Sequence, residues 1–395
     1  MYDVIVIGAG PSGMMASIMA SKKNKVLLLE KNEHSGKKLL ITGGGRCNLT
    51  NLKSNREFLE EVDYHKKYLY SSIHHFGPHD IYDFFTSRGV KLKEEADQKI
   101  FPVSNKSSDI LACLLDEMRT VEVHYKEPVI DIKLQREMKE VITAKTTYRA
   151  HNIIVATGGA SFPETGSTGD HMKLAKQLLQ PTVPLFPAET YLDLMENIVE
   201  LAGTSFEYVE IHYRKIKKSG NLIFTHRGIS GSSVMKISEF VFLNPEKQIS
   251  IDFLPTMRLD DFIALLSEFD REKEVATFLT TFFSKKFSNF LASKFQMEGV
   301  IKTYSMKKWN VLFTSLKSFQ MEVKCVGPLE KAYVTGGGID LNSIDSKTME
   351  SKFNKGVYFV GEALDVHGPI GGYNITLALS TGYSAGISIE SHKKN

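Results

Sequence analysis

The stretch DVIVIGAGPSGMMASIMASKKNKVLLLEK, residues 3–31, constrains the fold more than any other part of the chain. DVIVI is a β-branched run of the kind that forms a buried parallel strand. Gly8, Gly10 and Gly13 follow as GxGxxG, and MMASIMASKK reads as a helix of small and apolar residues. KVLLLEK gives a second strand that ends at Glu30, twenty-two residues after Gly8. Strand, glycine turn, helix, strand and acid together make the βαβ dinucleotide fingerprint. Gly8 permits the tight turn, Gly10 lets backbone approach a pyrophosphate, and Gly13 allows close helix–strand packing. The helix start directs free N–H groups and a positive dipole end at phosphates. Glu30 is placed to accept hydrogen bonds from ribose hydroxyls and disfavours a 2′-phosphate, so NADP is not expected there. The bland alternative is a glycine-rich turn without a ligand.

Later segments choose between FAD and NAD. NIIVATGGAS (152–161) is a strand running into Thr157 and Gly158, and GVYFVGEALD (356–365) is a strand ending at Gly361 and Glu362. This order resembles that of two-dinucleotide-fold flavoproteins. In them an ATG strand passes near the nucleotide and a late acid binds a ribityl hydroxyl. Glu362 is one methylene longer than the usual aspartate. Next comes a glycine turn into the small-residue run ITLALSTGYSAGIS. Its helix start, at Gly372, Tyr373 and Asn374, is expected to face a flavin's pyrimidine edge, where the dipole stabilises negative charge. The competing reading is close helix packing through small residues. FAD is favoured over NAD.

GKKLLITGGGRCNLTN (36–51) leaves the second strand at the carboxyl edge of the sheet, where ligands bind. Gly44 and Gly45 keep side chains away where backbone meets the cofactor. Lys38 and Arg46 are expected to face phosphate or ribityl oxygens, and Asn48 the flavin edge. Cys47 beside Arg46 suggests a low-pKa thiolate. Disulfide-type redox chemistry needs a nearby second cysteine, and Cys113 is the nearest in sequence. Cys47 is therefore read as a small residue packed near the cofactor.

Five segments in matching order resemble one family: GKKLLITGGGRCNLTN, SFPETGSTGDH, LIFTHRGISG, AYVTGGGID and YFVGEALDVHGPIGGYN. It is the three-domain FAD-binding oxidoreductase family of aminoacetone-oxidase and BaiN-like NAD(P)/FAD-dependent enzymes. The resemblance covers essentially the whole chain. It implies non-covalent FAD in a domain built from both chain ends, and it adds Pro11, Ser12, Lys31, Val129, Ala156, Asp365 and Ile375 to the cofactor set. His171, Ser232 and His367 depart from the family pattern, which bears on the substrate pocket.

The expected fold class is α/β. A discontinuous Rossmann-like two-dinucleotide-fold FAD domain (1–187 and 325–395) carries an inserted antiparallel, barrel-like β domain (188–254 and about 316–324) and a small helical domain (255–315). Alternation in FEYVEIHYRKI and KQISIDFLP supports the β domain. Helical periodicity in DDFIALLSEF and VATFLTTFFSKKFSNFLASKF supports the helical one. The phenylalanines of that basic run read as core rather than as a membrane-binding face.

Forty-nine basic and 46 acidic residues give a formal charge of +3, which argues against a dedicated nucleic-acid or membrane-surface binder. No apolar run reaches the roughly 18 residues of a membrane span, and a cytoplasmic location is expected. His74, His75 and His79 lack metal-site spacing, so no metal is expected. Catalytic candidates beside the flavin are His226, Thr168 and Tyr373, the last as an aromatic wall. The alternatives are a turn role for His226 and a helix-capping role for Thr168 or Asp170. With only one nucleotide fingerprint, the favoured activity is oxidation of a small, aminoacetone-like primary amine. Hydride would pass to flavin N5, and O2 would become H2O2. The alternative is a reductase of an unsaturated or carbonyl substrate fed transiently by NAD(P)H. A third reading, a flavin-bound sensor or RNA-associated protein, is disfavoured by the near-neutral charge. Expected partners are a small-molecule substrate and O2, without nucleic acid or membrane, for a monomer or dimer.

Overall fold

The computed structural model describes residues 1–135, 138–244 and 246–390, so the last five residues of the expected FAD domain lie outside it. The chain divides into two compact units: Met1–Phe186 together with the stretch from Leu329 onward, and Pro187–Pro328.

In the first unit β1 (Tyr2–Ile7) buries its last four residues completely or nearly so, as a strand covered on both faces must. The chain leaves it at Gly8 with φ 103° and enters α1 (Pro11–Ser21) with proline in the first turn. β2 (Val26–Leu29) lies parallel to β1, Val4 opposite Val26. The βαβ unit thus forms as expected. α2 (Lys37–Ile41), β3 (Thr50–Asn51), α3 (Asn55–Glu60), α4 (Tyr70–His75), α5 (Pro78–Thr86), β4 (Leu92–Glu95) and β5 (Lys99–Pro102) follow. β3, β5 and β4 make a small antiparallel sheet. α6 (Ser107–Glu117) returns the chain to β6 (Glu122–His124), parallel to β2. β7 (Val129–Leu134) and β8 (Lys139–Thr143) pair antiparallel, and β9 (Thr147–Val155) runs parallel beside β1. α7 (Asp170–Gln177) and β10 (Thr182–Ala188) complete this pass.

The second unit holds β11 (Leu192–Leu194), β12 (Ser205–Tyr213), β13 (Ile216–Phe224), β14 (Gly228–Ser230), α8 (Ser232–Phe242) and β15 (Gln248–Asp252). Then come α9 (Leu259–Glu268), α10 (Val275–Leu279), α11 (Lys285–Lys294), α12 (Met306–Lys317) and β16 (Phe319–Val326). The six strands close into a barrel in the order β11-β14-β13-β12-β15-β16. α8 is a helix within a segment whose pattern had suggested sheet alone. Barrel and helices share one apolar core, in which Phe253 meets Phe206 at 4.8 Å and Phe287 at 4.9 Å between ring centroids. Phe278 and Phe287 are fully buried and Phe283 nearly so. Among the described residues no helix is long and apolar enough to cross a membrane.

On its return to the first unit the chain forms β17 (Val334–Ile339), paired with β10, then β18 (Val357–Phe359) and α13 (Tyr373–Ser388). The main sheet runs β6-β2-β1-β9 in parallel. The outer edge of β9 is shared: Thr147–Ala150 pair with antiparallel β8, and Ile153–Val155 with parallel β18. α13 lies against α1 so closely that a Cβ on Gly382 would sit 2.3 Å from the Ser12 carbonyl oxygen. The small residues of α13 therefore serve packing, and the last helix is fastened to the first.

Candidate cofactor site

The site is built where β1, β2, β9 and β18 end. A Cβ on Gly8 would fall 2.5 Å from the Ala156 oxygen, and one on Gly13 only 1.9 Å from the Gly8 oxygen. Gly10 differs, because no atom lies within 4 Å of where its Cβ would stand. The first helical bond of α1 runs from Met14 N–H to the Gly10 oxygen at 2.9 Å, which leaves the N–H groups of Ser12 and Gly13 without a helical acceptor. Pro11 sets the helical φ of this turn, and Ser12 lies against Gly361, whose Cβ would meet its Oγ at 2.5 Å. An open backbone face with unmet donors at a helix start suits a pyrophosphate.

Glu30 is buried at the end of β2. The Ala9 N–H donates to its Oε2 at 2.7 Å and the Asn32 N–H to its Oε1 at 2.8 Å. Each oxygen keeps a second acceptor site for a ribose hydroxyl. The Lys31 ammonium donates to Thr168 Oγ1 at 2.6 Å and to Asp170 Oδ2 at 2.7 Å. Thr168 in turn donates to Asp170 Oδ1 at 2.9 Å, so the 165–170 loop is tied to the end of β2.

The glycines 43–45 form a turn with φ of 56°, 67° and 86°, all in the left-handed region. Gly44 has no atom within 4 Å of a would-be Cβ. Lys38 points into the site, but toward protein. It donates to Glu362 Oε2 at 2.8 Å and to Ser161 Oγ at 2.7 Å. Glu362 also accepts from the Thr335 N–H at 2.9 Å and the Gly159 N–H at 3.3 Å. Burial favours the protonated carboxyl and pushes its pKa up, but Lys38 and these amide donors outweigh that and hold it below its ordinary range. Ser161 and Thr335 escaped the sequence reading; the only signal was their place in the segments SFPETG and VTGGGID.

Several residues sit differently from expectation. Arg46 faces Glu95 and Asn105 and lies over the Phe101 ring at 4.2 Å, so an ion pair, a hydrogen bond and a ring contact within the protein hold its planar fork. Cys47 is fully buried, and burial pushes its thiol up to about 12, so Arg46 does not activate it. The Asn374 amide turns back to the Gly368 backbone, donating at 2.7 Å and accepting at 3.0 Å, which locks the turn before α13. Tyr373 is buried, with its ring stacked on Phe58 at 4.6 Å. It is thus part of the core rather than an open wall. His226 is exposed on the β13–β14 turn of the second unit. Val129 and Ile375 pack against the core of the first unit, half-buried. Asp365 is buried beside His65.

Three polar atoms test whether FAD fits. Asn48 Oδ1, Thr157 Oγ1 and Ser167 Oγ are buried with no hydrogen-bond partner among the described residues. Unmet buried polar atoms cost roughly 1–3 kcal/mol each and call for a ligand or water. Their position beside the glycine loops, with the open faces of Gly10 and Gly44, matches an extended dinucleotide.

This fold and this cradle define an FAD-dependent oxidoreductase. The chain belongs to the family described as HI0933-like protein Rossmann domain, whose model matches residues 2–388. It is 29% identical over 405 residues to the ribosomal RNA dihydrouridine synthase of Escherichia coli (strain K12), across 97% of this chain and 96% of that protein. It is likewise 29% identical over 408 residues to the 3-dehydro-bile acid delta(4,6)-reductase of Clostridium scindens, across 98% of each. Among solved structures it resembles the open conformation of a flavocytochrome c3 fumarate reductase, with TM-score 0.54, 16% identity, and 98% of this chain and 78% of that chain covered. It also resembles the 3-ketosteroid-delta4-(5alpha)-dehydrogenase of Rhodococcus jostii RHA1, with TM-score 0.52, 13% identity, and 98% and 96% covered. At those identities the two structures speak for the fold alone.

Proposed function

We propose that this protein is an FAD-dependent reductase that saturates a carbon–carbon double bond conjugated to a carbonyl, with NAD(P)H as the electron source. One observation carries the reading: the chain matches end to end a dihydrouridine synthase and a bile acid delta(4,6)-reductase. Both names describe saturation of such a bond, on substrates as different as a nucleobase and a steroid. The amine oxidase expected from the family resemblance finds no counterpart in these names. It keeps one support, the lack of a second nucleotide fingerprint.

The bound flavin supplies the hydride chemistry, and the protein supplies position and electrostatics. In this reading the Ser12 and Gly13 N–H groups hold the pyrophosphate and Glu30 holds the ribose. Lys38, fixed by Glu362, would place a positive charge beside the ribityl chain. The first turn of α13 would offer its N–H groups to the pyrimidine edge, where they would favour negative charge. Asn374 bonds the Gly368 backbone and so braces the turn that leads into α13. We take the substrate to be a small conjugated carbonyl compound, because a formal charge of +3 is no footprint for RNA.

The test is anaerobic mixing of the purified holoprotein with NADH, NADPH or aminoacetone, following flavin absorbance. The reduced protein then meets 2-cyclohexenone or transcribed ribosomal RNA. Bleaching by a nicotinamide and recovery by the enone support the proposal. Recovery by the RNA alone moves the substrate to nucleic acid. Bleaching by aminoacetone, with peroxide under air, overturns the proposal in favour of the oxidase.

A further inference from the structure

Between Gly361, which sits against Ser12 at the phosphate end, and Gly372, which opens α13, the chain carries two buried ionisable residues, Asp365 and His367. Neither has a task in the cofactor-holding reading above. Asp365 Oδ1 is buried with no hydrogen-bond partner among the described residues. Its other oxygen, Oδ2, lies 3.5 Å from His65 Nε2. His65 is the opposite of buried: its side chain is 46% exposed against 5% for Asp365. The pair thus spans from solvent to an interior carboxylate oxygen. His65 also holds a left-handed backbone, φ 56° and ψ 26°, which is uncommon for a side-chain-bearing residue. Aromatic rings fix the pair. Tyr64 meets the His65 ring edge-on at 4.2 Å and stacks on the His367 ring at 4.6 Å. Phe186, on β10, packs edge-on against both Tyr64 and His367. The polar groups facing the Asp365 carboxyl are the Tyr64 hydroxyl, the His65 and His367 rings, and the Gly337 N–H of β17. Burial nevertheless raises its affinity for a proton above that of an ordinary aspartate.

We propose that His65 and Asp365 form a proton relay from solvent to the flavin end of the site, supplying the proton that accompanies each reduction. The relay rests on the reductase reading for its purpose. In the step itself, protonated His65 gives up the proton on Nε2, so that N–H bond breaks as an Asp365 O–H bond forms. The Asp365 carboxyl then releases the proton to the group being reduced, and His65 is reprotonated from water. In turnover that group is the substrate carbon beside the carbonyl, which takes a proton as its neighbour takes hydride; under an electron-only donor it is the flavin, which receives electrons without hydrogen. No electron passes through the pair; the two electrons come from a nicotinamide-class donor. Asp365 is the inner proton donor, and His65 acts through it as a positioning and feeding residue.

The test needs neither nicotinamide nor substrate, so it fails independently of the reductase reading. Holoprotein is reduced by methyl viologen radical, an electron-only donor, and flavin bleaching is timed at pH 8, where protons are scarce. His65→Gly suits the left-handed backbone and leaves an opening at the surface. It is expected to slow bleaching about 100-fold, with a larger solvent deuterium effect. Added imidazole is expected to restore the rate, which a merely structural defect does not allow. Asp365→Asn is expected to be as slow and not rescued. If Asp365→Asn fails to hold flavin, the imidazole arm on His65→Gly still decides. An unchanged rate in His65→Gly, or a slow rate that imidazole leaves slow, overturns the relay.

Discussion

Lys38 and Glu362 stand 324 residues apart in the chain and meet at 2.8 Å. The contact joins α2, just after the first βαβ unit, to the turn that follows β18. With Ser161, Thr335 and Gly159 as further partners of the carboxylate, one side chain ties four segments around the candidate flavin path.

Lys38→Met leaves that carboxylate short of its cation. The pair is about a quarter to a fifth exposed, 25% and 21%, so the loss is smaller than for a sealed pair. We expect destabilisation of about 2 kcal/mol at pH 7, with loss of bound flavin. The pH dependence has a definite sign. Glu362 is held below its ordinary range, so its contribution is present above the unfolded carboxylate value and fades as pH falls through the lowered folded value. Melting temperatures of wild type and Lys38→Met are expected to converge at strongly acid pH; a constant gap counts against the pairing.

Gly44→Val and Gly89→Val make a matched pair. Both glycines have positive φ, 67° and 85°, and neither has an atom within 4 Å of a would-be Cβ. Each substitution costs about 1–2 kcal/mol of backbone strain. Only Gly44 lies on the proposed cofactor path. Gly44→Val is expected to purify colourless and folded, Gly89→Val yellow and folded. Equal flavin content in the two removes Gly44 from the site.

His171 is fully buried on α7, and burial lowers its pKa from the ordinary 6.5 to about 4. The unfolded chain therefore binds a proton near pH 6.5 that the folded chain refuses until about pH 4. Stability contributed by the neutral ring is full above 6.5 and falls as pH drops toward 4, by about 3 kcal/mol. In His171→Met that slope is expected to disappear from denaturant titrations between those two pH values.

The buried Cys47 thiol, pushed up to about 12, is expected to resist iodoacetamide at pH 8. Cys325 is exposed and is expected to label first. Mass spectrometry of the native protein reads this directly. Prompt labelling of Cys47 revives the redox reading.

Sequence alone determined the βαβ unit, because strand burial, glycine geometry and the terminal acid are set by residues within thirty positions of one another. It also supplied the glycine turn at 43–45; that both chain ends build one domain came only from the family resemblance, and packing through the small residues of the last helix was the competing reading there. Local pattern missed α8, whose apolar residues at helical spacing sit among strands. Tertiary structure alone decided the partners of long polar side chains. Arg46 and Lys38 both looked free to meet a phosphate. Glu95 and Asn105 took one, and Glu362 the other, because a long charged side chain pairs with whichever opposite charge the fold delivers within its reach. The same holds for His65 and Asp365, exactly 300 positions apart in number, whose meeting no sequence spacing encodes.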